Sequence, residues 1–266
     1  MTGKTKYKGK NIYYKSQGKG QAIVLLHGFM EDKSMWEKIA RVLSSSFNVI
    51  TVDLPGHGRS ECVSDIHTMD MMAVAVNKVL RDLEVKHCVM IGHSMGGYVT
   101  LAYARKYPGK LRGMGLFHSH AADDTPEQKL NRNRMIEIVE DEKTGFIKNF
   151  FPDLFAPSNV EKYSKEIQQF TESAMKMPKK GITAALEGMK LRLNCVDILT
   201  YSRYPVLFIV GKQDSRIPAQ KLIDQAILPS YSEVHVLDYV GHMGFIEART
   251  ETQNAIFHFA KKIYPK

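Results

Sequence analysis

Cys88-Val89-Met90-Ile91-Gly92-His93-Ser94-Met95-Gly96-Gly97 is the stretch whose reading decides the fold. Its first four residues form a short apolar run with the look of a buried strand. Downstream, Tyr98 to Tyr107 reads as a helix stopped by Pro108-Gly109. Between them a serine sits in the order Gly-x-Ser-x-Gly. Such a serine occupies a sharp strand-to-helix turn, and the glycines let the backbone take that turn without steric clash. The bare pentapeptide recurs by chance. Here it has the preceding strand and following helix that its geometry requires. The free N–H groups of the helix start favour negative charge beside the hydroxyl. Ser94 is therefore a candidate nucleophile; the plainer alternative is a glycine-rich turn with a spectator serine.

Elsewhere strands and helices alternate. Residues 4–17 read as two short strands around Lys8-Gly9-Lys10, and Ala22-Ile23-Val24-Leu25-Leu26 as a buried strand ending in His27-Gly28. A helix is expected around Trp36 to Leu43, a strand over Phe47 to Asp53, a helix over Met69 to Leu83 and a strand over Leu111 to Phe117. This rhythm implies a mostly parallel, doubly wound sheet covered on both faces. It stops after His118. Residues 120–200 are charged and helical in pattern, without a convincing strand. It resumes with Val206 to Val210, a helix near Ala219 to Ile227, the strand Glu233 to Leu237, and a helix over about Glu251 to Ile263. The expected organisation is a core of residues 1–119 and 201–266, with a helical lid at 120–200 inserted between two strands of one sheet.

Composition narrows the class. The chain has 266 residues, 44% hydrophobic and 24% charged, ordinary for a globular protein able to bury a core without disulfides. Cys62, Cys88 and Cys195 lack metal-ligand spacing and read as free thiols of a reducing compartment. No secretory signal and no membrane-spanning apolar run is apparent, so a cytoplasmic location is expected. The net charge of +9 comes from Lys4, Lys6, Lys8, Lys10, Lys15 and Lys19 at one end and Lys261, Lys262 and Lys266 at the other. The remaining chain is balanced. Terminal lysines of this kind protect a sheet edge, whereas a nucleic-acid binder carries a stripe over its folded body.

A serine needs a base to act at neutral pH. Of ten histidines, His242 stands in the loop Gly241-His242-Met243-Gly244 just past the last strand, where strand C-termini converge. The base in turn needs an acid to hold its tautomer. Asp214, just beyond the strand ending at Val210, is the expected acid, with Asp123 and Asp124 as alternatives one strand earlier. A tetrahedral oxyanion needs N–H donors, expected from the backbones of Met95, next to the serine, and Phe29, in the loop after the first long strand. No phosphate loop or dinucleotide fingerprint is present, and His118-x-His120 lacks a third metal partner; no cofactor or metal is implied.

With His27-Gly28-Phe29, Asp53-Leu54-Pro55-Gly56-His57-Gly58-Arg59-Ser60, the Ser94 turn, Gly211-x-x-Asp214 and Gly241-His242 in that order, the chain resembles the α/β-hydrolase superfamily along almost its whole length. Residues 118–126, followed by Arg132 and Arg134, resemble a narrower group of lid-bearing serine esterases and enol-lactonase-like hydrolases. Two departures are Glu247-Ala248-Arg249, where many relatives have a proline after the glutamate, and Asn194-Cys195-Val196-Asp197. The resemblance implies hydrolysis of small carboxylic esters or lactones through an acyl-enzyme, by a monomer or homodimer with no nucleic-acid or membrane partner. Carbon–carbon, thioester or amide hydrolysis, acyl transfer, and a ligand-binding receptor with vestigial hydrolysis stay open as alternatives. Acidic and basic side chains are in near balance over 120–200, so shape and apolar contact are the expected discriminators. Phe146, Phe150, Phe151, Phe155 and Leu186 are expected to set them, and Met30, Met35, Met95, Met175 and Met177 are candidate pocket methionines beside ordinary core.

Overall fold

Eight strands form one sheet in the computed structural model, which describes residues 1–265. They are β1 (Thr2–Tyr7), β2 (Lys10–Gln17), β3 (Ala22–Leu26), β4 (Asn48–Val52), β5 (Cys88–His93), β6 (Leu111–Phe117), β7 (Val206–Gly211) and β8 (Ser232–Leu237). Their spatial order is β1-β2-β4-β3-β5-β6-β7-β8, and β2 alone runs against the rest. Every residue of β3, β5 and β7 is buried. Their unbroken apolar runs follow from helices covering both faces of the sheet.

The helices of the core are α1 (Glu37–Leu43), α2 (Met69–Asp82) and α3 (Met95–Lys106). From β3 the chain crosses through α1 to β4 on one side, then returns through α2 to β5 on the other. Right-handed crossovers in opposite directions put α1 and α2 on opposite faces. They also open a crevice at the C-terminal ends of β3 and β5, where an open sheet of this kind holds its ligands. The loop Gly28–Glu31 and Ser94 both emerge there.

The insertion between β6 and β7 is helical throughout. It comprises α4 (Pro126–Phe150), α5 (Ser164–Met175), α6 (Lys179–Lys190) and α7 (Val196–Thr200). Thr125 caps α4: its hydroxyl accepts from Gln128 N–H, and the Gln128 side chain accepts from Thr125 N–H. The helix kinks at Glu142 (φ −138°, ψ 69°), a break its polar sequence does not announce. After β7 come α8 (Ala219–Ala226), the short α9 (Gly244–Glu247) and α10 (Arg249–Ile263). The helix expected from Tyr98 begins three residues earlier, at Met95 immediately after Ser94.

Gly96 explains why this start is so tight. A Cβ there would stand 2.5 Å from Leu26 O and 2.7 Å from His27 O, both backbone atoms that no rotamer change can move. We expect Gly96→Ala to lower Tm by at least about 5 °C, the size of a severe packing defect in a domain of this length. Thermal unfolding followed by circular dichroism checks this; an unchanged Tm would contradict the close approach.

Candidate active site

Ser94 sits between β5 and α3 with φ 49° and ψ −116°, a conformation L-residues rarely adopt outside strained functional turns. Its backbone is held on both sides: Ser94 N–H donates to Phe117 O at 2.9 Å, and the Ser119 hydroxyl donates to Ser94 O at 2.8 Å. Two buried backbone N–H groups beside it, those of Phe29 and Met95, find no acceptor among the described residues. Buried donors are almost always paired. Two such donors at one crevice suit an anionic oxygen. His27 has a structural task instead: its Nδ1 faces Gly28 O at 2.8 Å while Nε2 accepts from Leu54 N–H at 2.9 Å.

The structure brings His242 and Asp214 together. His242 Nδ1 lies 2.7 Å from Asp214 Oδ2, and both side chains are buried. The other oxygen, Oδ1, accepts from Arg216 N–H at 2.8 Å and Ile217 N–H at 3.0 Å. Burial pushes the Asp214 carboxyl up, but the neighbouring His242, its hydrogen bond, His118 and the Arg216 N–H outweigh it and bring the pKa down to about 2. Asp123 and Asp124 go elsewhere. Asp123 accepts from Asn194, and Asp124 binds Arg132 and Arg192.

The loop carrying His242 is stitched to the insertion. His242 N–H donates to Leu154 O at 2.6 Å. Glu247 accepts from Gly241 N–H, Met243 N–H, Ala156 N–H and Asn159 Nδ2 at 2.8–3.2 Å. The glutamate that lacks its expected proline neighbour is thus the clamp on this loop.

Three histidines crowd the site. His118 follows β6 and lies 3.5 Å from Asp214 Oδ2, while its Nδ1 accepts from Gly211 N–H at 3.2 Å. Burial holds it neutral, well below the usual histidine range. His118, Asp214 and His242 present ligand atoms within 4.8 Å of one another, the one such group among the described residues. A cation there would displace the His242–Asp214 hydrogen bond. His93 lies inside the serine turn. It bridges two loops: Nδ1 lies 3.0 Å from Glu31 Oε2 and Nε2 lies 2.8 Å from His242 O. Glu31 Oε2 also accepts from Gly28 N–H at 2.6 Å. One buried carboxylate–imidazole pair therefore links the Phe29 loop, the Ser94 turn and the His242 loop. The only sequence trace of this is an acid three residues past His27-Gly28.

Ser94 and His242 line a common cavity of about 180 Å³ with Phe29, Glu31 and Tyr98. Its insertion-facing wall is unlike the expected apolar lining. Phe150, Leu154, Met135 and Met189 are there, but so are Asp124, Gln128, Asn131 and Arg132. Phe151, Phe155 and Leu186 are buried in the core, and Phe146 reaches the cavity only by stacking on Phe150. The methionines of the cavity are Met135 and Met189; Met30, Met35, Met95 and Met177 belong to the core and Met175 packs against it, in line with the ordinary-core reading. Position decides this: on α4 the cavity face is residues 128, 131, 132 and 135, at helical spacing, and most of these are polar.

His93 is held above its usual pKa: burial opposes its charge, but Glu31, the hydrogen bonds to Glu31 and His242 O, and Asp214 prevail. A raised folded pKa gives stabilisation that is complete below the unfolded value near 6.5 and is lost as pH rises through the folded value. Removing one partner of such a buried pair costs about 3 kcal/mol. Glu31→Gln should therefore destabilise by about that amount at pH 6 and by clearly less at pH 9, as read from urea unfolding. A deficit independent of pH would contradict the charged pair.

Comparisons with known proteins agree with this architecture. Residues 21–249 match the family model described as the alpha/beta hydrolase fold. A thermophilic esterase from Thermogutta terrifontis, solved with malate bound, is 31% identical and superposes with a TM-score of 0.93 over 99% of both chains. The enol-lactonase from Burkholderia xenovorans LB400 shares the fold at 20% identity, with a TM-score of 0.90 over 97% of this chain and 100% of its own. The dihydrolipoyllysine-residue acetyltransferase component of an acetoin cleaving system of Pseudomonas putida is 28% identical over 251 residues, 91% of this chain and 64% of that protein. The chain belongs to the α/β-hydrolase fold family.

Proposed function

We propose that the protein hydrolyses small carboxylic esters or lactones through an acyl-enzyme on Ser94. The observation that carries this reading is the 2.7 Å His242–Asp214 contact, opening on the same cavity as Ser94 beside two unpaired N–H groups. The esterase and enol-lactonase likenesses support the class of bond cleaved.

In this mechanism His242 Nε2 takes the Ser94 proton as Oγ attacks the carbonyl carbon. The carbonyl oxygen becomes an oxyanion, received by the N–H groups of Phe29 and Met95. As the intermediate collapses, His242 returns the proton to the leaving alkoxide, and the alcohol departs. Water then repeats the sequence on the acyl-enzyme, releasing the acid and restoring Ser94. Asp214, buried and ionised, keeps the Nδ1 proton of His242 in place so that Nε2 faces the serine, and it stabilises the imidazolium formed at each step. In a lactone the leaving oxygen stays attached, so a single hydroxy acid is released. Every proton is carried by His242. The three free cysteines favour a cytoplasmic setting, and we take the active unit to be a monomer or homodimer.

Ser94→Ala and His242→Ala should each reduce kcat by several orders of magnitude, and the double variant should lose little more, since such groups act as a unit. Asp214→Asn should cost up to about 10⁴-fold through an inverted imidazole tautomer. Steady-state kinetics on a short-chain ester check these outcomes. Additive losses in the double variant, or full activity of Asp214→Asn with a crippled Asp124→Asn, would contradict the assignment. The wild-type rate should also survive dialysis against EDTA; its loss would mean that a metal takes part.

A further inference from the structure

The cavity has two ends of different chemistry. One holds Ser94 and His242. The other is built around Asp124, whose two oxygens are both taken: Oδ1 by Arg192 Nη1 at 2.6 Å and Oδ2 by Arg132 Nε at 2.9 Å. Arg192 is itself fixed. Its guanidinium lies over the Tyr98 ring at 4.2 Å and donates to Ala122 O and Met189 O. Arg192 thus anchors Asp124, and Asp124 anchors Arg132. The Nη groups of Arg132, which lines the cavity, have no hydrogen-bond partner among the described residues.

Two guanidiniums on one carboxylate leave a positive surplus, and a third sits on the same cavity. Arg216 lies over Phe150, with its ring centroid 5.0 Å away, and its acid, Asp153, is solvent-exposed and 3.8 Å distant. Burial lowers the pKa of Arg216, and Arg132 is near enough to lower it further. His120, 3% exposed and lining the cavity, has a ring Nδ1 without a partner. It is pushed down to about 3 by burial, then by Lys221 and Arg192, so it stays neutral. The remaining cavity acid, Glu31, is already matched by His93 and Gly28 N–H. Free guanidinium donors at one end of the cavity form an incomplete hydrogen-bond set. An anionic oxygen pair completes it, since guanidinium N–H groups match a carboxylate in geometry and charge.

We propose that Arg132 and Arg216 form a carboxylate-binding subsite, and that the substrate is a short ester or lactone bearing a carboxylate remote from the scissile carbonyl. This rests on the hydrolase reading above and adds the substrate class to it. It also replaces selection by apolar contact alone, because the near balance of charge along residues 120–200 conceals a segregation of arginines onto the cavity face.

The test compares half esters with neutral esters of similar length: monomethyl succinate and glutarate against methyl butanoate and pentanoate, followed by pH-stat titration. A lost charge-assisted hydrogen bond is worth about ten- to a hundredfold in binding. The ratio of kcat/KM for half ester over neutral ester should fall at least tenfold in Arg132→Gln, in Arg216→Gln, or in both, through KM. Arg216 is the more exposed, so its variant reads the subsite even where loss of Arg132 disturbs folding. A ratio that falls less than tenfold in both variants overturns the subsite and leaves the hydrolase reading standing. If the wild type cleaves neither ester class, the hydrolase reading fails and binding decides: calorimetric titration with glutarate should give a Kd at least tenfold weaker in the variants. Glutarate affinity that is unchanged in both overturns the subsite.

Discussion

The backbone of Ser94 is the constraint around which the rest of the site is arranged. A non-glycine residue at φ 49° costs on the order of 1–3 kcal/mol and persists only when its surroundings leave no alternative. Here they leave none. Gly92 lets β5 approach α3, and Gly96 lets α3 approach the end of β3, until any side chain would meet backbone, while Phe117 O and the Ser119 hydroxyl hold the turn from β6. The same turn places Ser94 at the start of α3 and leaves Met95 N–H unpaired. Strain, helix dipole and open donor therefore have a single origin.

What surrounds the turn is a set of buried polar links, each joining segments distant in sequence. Glu31 and His93 connect the loops after β3, β5 and β8, and Glu247 connects the His242 loop to the insertion. Buried charges of this kind add little net stability, but breaking one is costly, so they favour one arrangement of loops over many. For chemistry that depends on placement within fractions of an ångström, that is the useful property. The insertion is part of this network through Leu154, Ala156 and Asn159 rather than a cover resting on it.

The fold was legible in the sequence because its signals are local. Apolar runs such as Ala22–Leu26 and Val206–Val210 mark buried strands, and the glycine–serine turn fixes the step from β5 to α3. The placement of Ser94, Asp214 and His242 was legible because each follows a strand, so chain order maps onto one edge of the sheet. The Glu31–His93 pair could not, since nothing in either segment announces a partner 62 residues away. The cavity wall was misread for a related reason. Charge summed over residues 120–200 says nothing about which face of α4 points inward, and the conspicuous phenylalanines there serve mostly as core.

The central claim is that Ser94 is a nucleophile activated by His242. Treatment with a fluorophosphonate, followed by intact-mass spectrometry and peptide mapping, tests it most directly, because only a serine with a positioned base reacts rapidly. The account predicts a single adduct, on Ser94, forming orders of magnitude more slowly in His242→Ala. An adduct on another residue, or an equal labelling rate in the folded His242→Ala variant, would contradict it.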